Sequence, residues 1–158
     1  MRILCSLGTH TQDFSRLARA IDEVATVFSD ADIVVQTGAT KYDFRYVANH
    51  FDFCTKERME ELIDWADVLV MQGGWGAMEE VVDKGKRCVV VPRIEGLEHV
   101  HNQEQLVRKM DSMGCVIGCF DVKDLSDCIL KAKDMVVTPL KKGSATEIIN
   151  KSLNDWFK

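Results

Sequence analysis

The stretch from Val68 to Pro92, VLVMQGGWGAMEEVVDKGKRCVVVP, sets Gly73, Gly74 and Gly76 between an apolar run and a helical pattern, with Glu79 and Glu80 close behind. Glycine lets the backbone approach a ligand closely and adopt angles that side chains forbid. A helix opening near Gly76 turns its unpaired N–H groups and the positive end of its dipole toward the loop. That arrangement suits a phosphate or diphosphate. A glutamate in the first helical turn can then accept hydrogen bonds from ribose hydroxyls. The same residues also make a plain strand-to-helix turn, with the glutamates as favourable N-terminal charges. The pattern is not GxGxxG and follows the fourth apolar run, which argues against an ordinary dinucleotide fingerprint.

Three more loops carry side chains able to do chemistry. SLGTH places Gly8, Thr9 and His10 after the first apolar run, and His10 is a base, an acceptor contact or a plain loop histidine. QTGATKYDF repeats the form, with Gly38, Thr40 and Tyr42 as contacts. VPRIEGLEHVHNQEQ follows the fifth run and is dense in hydrogen-bonding groups: Arg93, Glu98, His99, His101, Asn102, Gln103 and Gln105. Such a loop before a helix can read a base and sugar hydroxyls. His99 and His101 have a metal-pair spacing, but no third ligand is evident, and zinc sites take three or four; no metal is expected. Trp75, inside the glycine turn, is a stacking surface or a partner or membrane contact. Trp65 is packing, and Trp156 docks the last helix or meets a partner.

The elements that must position these loops alternate. RILCSL, ADIVVQTG, FDFC, DVLVMQ, RCVVVP and CVIGCF read as strands. Between them lie FSRLARAIDEVATVF, KERMEELIDWA capped by Thr55, a short helix after the glycines, and NQEQLVRKMDSMG ending at Gly114. Asp121 caps VKDLSDCILKAKDM, and Ser144 caps a last helix over about 144–157. Continuous Val/Ile/Leu runs mark parallel strands buried on both faces. The expected fold is α/β: an open, doubly wound parallel sheet in a single domain, 1–158. Ligands bind outside the C-terminal strand ends of such a sheet, where all four loops lie.

Composition narrows the class. The 158 residues are 46% hydrophobic and 28% charged, with net charge −5 and no basic block. A nucleic-acid partner is therefore not indicated. No segment reads as a signal peptide or a bilayer span, so a cytoplasmic protein is expected. Cys5, Cys54, Cys88, Cys115, Cys119 and Cys128 show no CxxC spacing, and most sit in apolar runs, as buried reduced thiols do.

ILCSLGTHTQDFSRLARAIDEV, DIVVQTGATKYDF, WADVLVMQGGWGAMEEVVDKGKRCVVVPR and EHVHNQEQL together resemble four motifs of proteins related to the C-terminal half of family-28 glycosyltransferases. They fall in order over roughly the first 110 residues. The resemblance implies a Rossmann-like domain equivalent to the C-terminal half of a GT-B enzyme. It implies the soluble donor-binding subunit of a two-component UDP-sugar transferase, such as the lipid-linked oligosaccharide N-acetylglucosaminyltransferase or bacterial polysaccharide glycosyltransferases. The donor is then a substrate, with no cofactor. The partner is a membrane-anchored subunit that carries the lipid-linked acceptor and recruits this chain to the cytoplasmic membrane face. Carried over by position, Gly73, Gly74, Gly76 and the N–H of Ala77 hold the diphosphate, and Glu80 holds the ribose. Arg93, Asn102 and Gln103 meet the sugar or nucleotide. Gly8, Thr9 and His10 line the cleft, with His10 or the partner supplying the catalytic base. Four departures stand out: Gln72 replaces a histidine, Trp75 a small residue or proline, Ala77 a threonine, and HNQE at 101–104 replaces DDHQ. They leave open a non-catalytic regulatory subunit, and behind it a stand-alone α/β enzyme acting on another nucleotide or phosphorylated ligand.

Overall fold

The computed structural model describes residues 1–140. The expected tail helix, its Ser144 cap and Trp156 lie outside the described residues. Six strands form one parallel sheet: β1 (Arg2–Ser6), β2 (Asp32–Gln36), β3 (Asn49–Phe51), β4 (Val68–Gln72), β5 (Cys88–Val91) and β6 (Ile117–Gly118). Their order is β3-β2-β1-β4-β5-β6, so the winding reverses between β1 and β4.

Alternation along each strand fixes the two faces. Ile3, Cys5, Val68, Val70, Val89 and Val91 pack under α1 (Ser15–Val27) and α5 (Leu125–Asp134). Leu4, Leu69, Met71, Cys88 and Val90 pack under α2 (Lys56–Trp65), α3 (Trp75–Asp83) and α4 (Glu104–Ser112). Both faces of the central strands are thus buried, which explains their unbroken apolar runs. Of the six cysteines, Cys54 alone is exposed. Cys119 lies beside Cys128, and not beside the neighbour in sequence, Cys115.

Several boundaries differ from expectation. β3 is Asn49–Phe51 and not FDFC. Its register follows β2, with Val34 opposite Asn49 and Gln36 opposite Phe51, while Phe53 turns to solvent. Pairing to the neighbour, not the local Phe-Asp-Phe alternation, sets an edge strand. β6 shrinks to two residues. Asp121 accepts the Lys123 N–H and caps a 3-10 turn, Val122–Asp124, rather than α5 itself. Thr55 caps α2 by accepting the Arg58 N–H at 3.2 Å.

No helix covers the β2–β3 crossover, residues 37–48, and a buried carboxylate takes that role. Asp22 on α1 is 2% exposed. It accepts the N–H groups of Arg45, Tyr46 and Val47, each at 2.9 Å. Burial disfavours its charged form, but those donors and Tyr42 outweigh it and hold the carboxyl below the usual range. The lowered value means its stabilisation is complete above the ordinary carboxylate pKa and is lost as pH falls through the depressed one. Asp22→Ala leaves three N–H groups without their acceptor and is expected to cost at least about 2 kcal/mol, read by urea unfolding at pH 7. The gap between wild type and variant should close in acid.

Candidate active site

A cavity of about 650 Å³ opens at the C-terminal ends of β1 and β4, where a doubly wound sheet of this order binds ligands. The loop after β1 contributes Thr9 and His10, the β4–α3 turn contributes Gln72 to Trp75, and the loop after β5 contributes His99, His101, Asn102 and Gln103. Three of the four loops singled out in the sequence therefore meet here. The fourth, after β2, supports them from below. Thr40 is buried, with its hydroxyl accepting the Phe14 N–H at the start of α1. Gly38, with φ 57°, lets that loop pass against Gly8, where a Cβ would overlap the Gly8 carbonyl oxygen. A hollow of about 700 Å³ along β3 and α2 lies on a different part of the molecule.

The glycine turn enters α3 at Trp75, with Gly74 as N-cap. The first N–H with an acceptor inside the helix is that of Met78, to Gly74 O at 3.1 Å. The N–H groups of Trp75, Gly76 and Ala77 are thus the terminal donors that a helix leaves unpaired. Each glycine has its own reason. A Cβ on Gly73 would come within 2.8 Å of the Val107 side chain, and one on Gly74 would overlap Gln72 Nε2. One on Gly76 would meet nothing within 4 Å. Because the helix begins at Trp75, Glu79 and Glu80 fall in its second turn and not its first. Glu80 is half-exposed, 3.7 Å from Lys84, and outside the cavity wall.

Gln103 ties the turn to the neighbouring strand. It is 6% exposed. Its Oε1 accepts two backbone N–H groups, from Gly73 at 3.1 Å and Arg93 at 3.0 Å. Those donors fix the amide orientation, so Nε2 faces Gln72 and donates to its Oε1 at 2.9 Å. Gln72 then presents its own Nε2 toward Gly8 and Gly74. The sequence expectation of a sugar contact at Gln103 meets a side chain whose carbonyl already holds the floor of the cleft. Asn102, exposed, accepts the Gln105 N–H at 3.2 Å and stays at the cavity wall.

Arg93 points inward, not into the cleft. It is 2% exposed. Its guanidinium donates to the carbonyls of Leu7, Gln12, Asp13 and Glu98, and stacks 4.4 Å from the Phe14 ring. One buried cation thereby joins the loops after β1 and β5. Arg16 completes the strap, donating from both Nε and a terminal nitrogen to the Glu98 carboxylate at 3.0 and 2.8 Å. Glu98 also accepts the Ile94 N–H at 2.8 Å. This pairing of α1 with the loop is a long-range contact with no local sequence signal, as is the role of Gln72.

The strap brings three histidines together. The rings of His10 and His99 are 4.8 Å apart, and those of His99 and His101 5.5 Å apart. Burial, then His99 and Arg93, lower the His10 pKa and favour the neutral ring. Among the described residues no group of three or more His, Cys, Asp or Glu has the geometry to hold a metal ion. No described helix is long and apolar enough to cross a membrane.

Removing the Gln103 amide should loosen the turn. Gln103→Leu leaves the Gly73 and Arg93 N–H groups without their acceptor, for an expected loss of about 2–4 kcal/mol. Gln103→Glu, which keeps the double acceptor, should retain most of that stability. Chemical denaturation of the two variants side by side decides it.

Solved structures share this architecture. The glycotransferase of kitacinnamycin aligns with a TM-score of 0.66 at 19% identity, over 84% of this chain and 34% of that one. MurG of Acinetobacter baumannii aligns at 0.58 and 16%, over 98% of this chain and 52% of that one. The UDP-GlcNAc 2-epimerase of Neisseria meningitidis, solved with UDP-GlcNAc bound, aligns at 0.57 and 14%, over 98% and 44%. The chain thus spans from about a third to about half the length of these proteins. No curated protein matches the sequence. Residues 4–154 match the model of the glycosyltransferase family 28 C-terminal domain, and the chain belongs to that family.

Proposed function

We propose that this chain is the UDP-sugar-binding half of a two-component glycosyltransferase. It works with a separate, membrane-anchored subunit that holds a lipid-linked acceptor, and transfers a hexose or N-acetylhexosamine at the cytoplasmic membrane face. The observation that carries the reading is the position of the glycine turn. The unpaired N–H groups of Trp75, Gly76 and Ala77 start α3 beside the cavity where the sheet reverses its winding. Membership of the glycosyltransferase family 28 C-terminal domain supports the donor-binding part of it.

In this reading the diphosphate lies against Gly73, Gly74 and the first turn of α3. No bound metal or other cofactor is required, because the helix end takes the negative charge that grows on the leaving UDP. Glu80 lies four residues beyond Gly76, on the same helix face. It is the ribose acceptor, reached past the open space above Gly76. His10, neutral and at the cleft edge, is the residue of this chain placed to accept the acceptor's proton. Gly8 and Thr9 shape that edge, and Asn102 reads the donor. Arg93 and Gln103 act by holding the walls. Ala77 brings an N–H but no hydroxyl to the cradle. UDP-sugar binding that never leads to turnover, with any acceptor-bearing partner, would identify a regulatory subunit instead.

Gly76→Ala separates cradle from scaffold. The new methyl group meets no atom, and alanine favours the helix by up to about 1 kcal/mol. Calorimetric titration with UDP, UDP-glucose, UDP-galactose and UDP-N-acetylglucosamine should show affinity reduced about tenfold or more, the scale of one charge-assisted contact, while thermal stability holds or rises. NAD and ATP serve as controls. Unchanged UDP affinity in Gly76→Ala would remove the diphosphate from this turn, and a preference for NAD or ATP would replace the transferase reading.

A further inference from the structure

Among the described residues, no permanent side-chain cation lines the cleft. None of the residues lining it is a lysine, arginine, aspartate or glutamate. Arg93 faces inward onto four carbonyls, and Arg16 is held by Glu98. The nucleotide sugar that the proposed function places here carries two negative charges. The end of α3 offers only about half a positive one. Imidazoles are the other groups at the wall able to become cationic, and three stand in series.

Their hydrogen bonds distinguish them. His10 Nδ1 faces the Gln12 N–H at 3.3 Å, an acceptor role that only an unprotonated Nδ1 can fill. His99 Nδ1 has two partners on one residue: the His101 N–H at 3.0 Å and the His101 carbonyl at 3.3 Å. Unprotonated, it accepts from the N–H; protonated, it donates to the carbonyl. His99 can change charge without losing its anchor, whereas His10, on accepting a proton as a base, must release the Gln12 N–H. The sequence adds that His101 and Asn102 stand where the resembling motif has two acids, so no carboxylate at those positions neutralises the ring.

We propose that His99 is the countercharge of this site: it takes up a proton from solvent when a diphosphate ligand binds, and so couples affinity to pH. The inference rests on the proposed UDP-sugar function. The charged groups around His99 leave it this role. Arg93 beneath the loop opposes a second cation, but its guanidinium is engaged by four carbonyls; Glu98 is paired with Arg16, and Glu104 at the start of α4 with Arg108. Glu95 shares its loop and bridges to it through the backbone. A second imidazolium at His10 or His101 is opposed by like charge.

The sign follows from linkage. A ligand that favours the protonated ring binds more tightly as pH falls from 8.5 to 6.5, by about tenfold for one coupled imidazole. Calorimetry at pH 7.5 in two buffers of different ionisation enthalpy, with a chelator present, counts the protons. UDP-glucose and UDP-N-acetylglucosamine are the probes, because free UDP has a terminal phosphate that titrates near neutrality and they do not. Wild type should take up a measurable fraction of one proton per ligand bound. His99→Gln keeps an acceptor for the His101 N–H and should bind with no uptake and a flat pH profile, whereas His10→Gln should keep the uptake. Binding by wild type without proton uptake, or uptake that persists in His99→Gln, would overturn the inference and leave the functional reading standing. Wild type that binds neither nucleotide sugar would overturn both.

Discussion

One carbonyl oxygen, Oε1 of Gln103, sets the geometry of the cleft. Where β4 and β5 end, their last N–H groups run out of ladder partners, and buried donors left without an acceptor are unfavourable. Gln103 reaches back from the start of α4 and accepts both, Gly73 N–H on one strand end and Arg93 N–H on the next. Its second function follows from the first. With Oε1 fixed, Nε2 must face Gln72, and Gln72 must turn its own amide nitrogen toward Gly8 and Gly74. A single side chain therefore orients the glycine turn, the end of β5 and the wall residue between them.

The charges of the site are organised on the same plan. The permanent cations work beneath the surface. Arg93 gathers the loops after β1 and β5, and Arg16 straps the second loop to α1 through Glu98. What faces the cleft carries no permanent charge: terminal N–H groups of a helix, amides and imidazoles. A wall of that kind stabilises anions without drawing a bound carboxylate or a fixed counter-ion into the cleft. It suits a ligand whose negative charge changes during the reaction, as a departing nucleoside diphosphate does.

The cleft is also one-sided. Ile94, Leu97 and Val100 project outward from the strapped loop, Leu97 and Val100 being 76% and 68% exposed, and Trp75 stands half-exposed at the turn. Solved proteins of this architecture continue well beyond the matched segment. A second body closing over the rim would bury those aliphatic groups and exclude water from the reacting atoms. The functional proposal assigns that place to the acceptor-bearing partner.

The sequence by itself determined the architecture, the strand ends that carry the site and the glycine turn. Each rests on a local rule: apolar runs for strands buried on two faces, helical spacing for their covers, and glycines where backbone must approach backbone. It misplaced what pairing decides, such as β3, whose register belongs to β2, and the start of α3, which moves Glu80 into the second turn. Tertiary structure alone decided which polar side chains face the cleft. Arg93 and Gln103 look like contacts in a loop rich in hydrogen-bonding groups, yet Arg93 turns inward onto carbonyls and Gln103 commits its Oε1 to two backbone N–H groups, because buried backbone groups at the strand ends need partners. His99 reads as one half of an incomplete metal pair until the fold brings His10 within 4.8 Å and offers its ring both a donor and an acceptor. The inward turn of Arg93 onto Leu7 and the approach of His10 to His99 depend on residues more than eighty positions apart meeting in space, and no local pattern records that meeting.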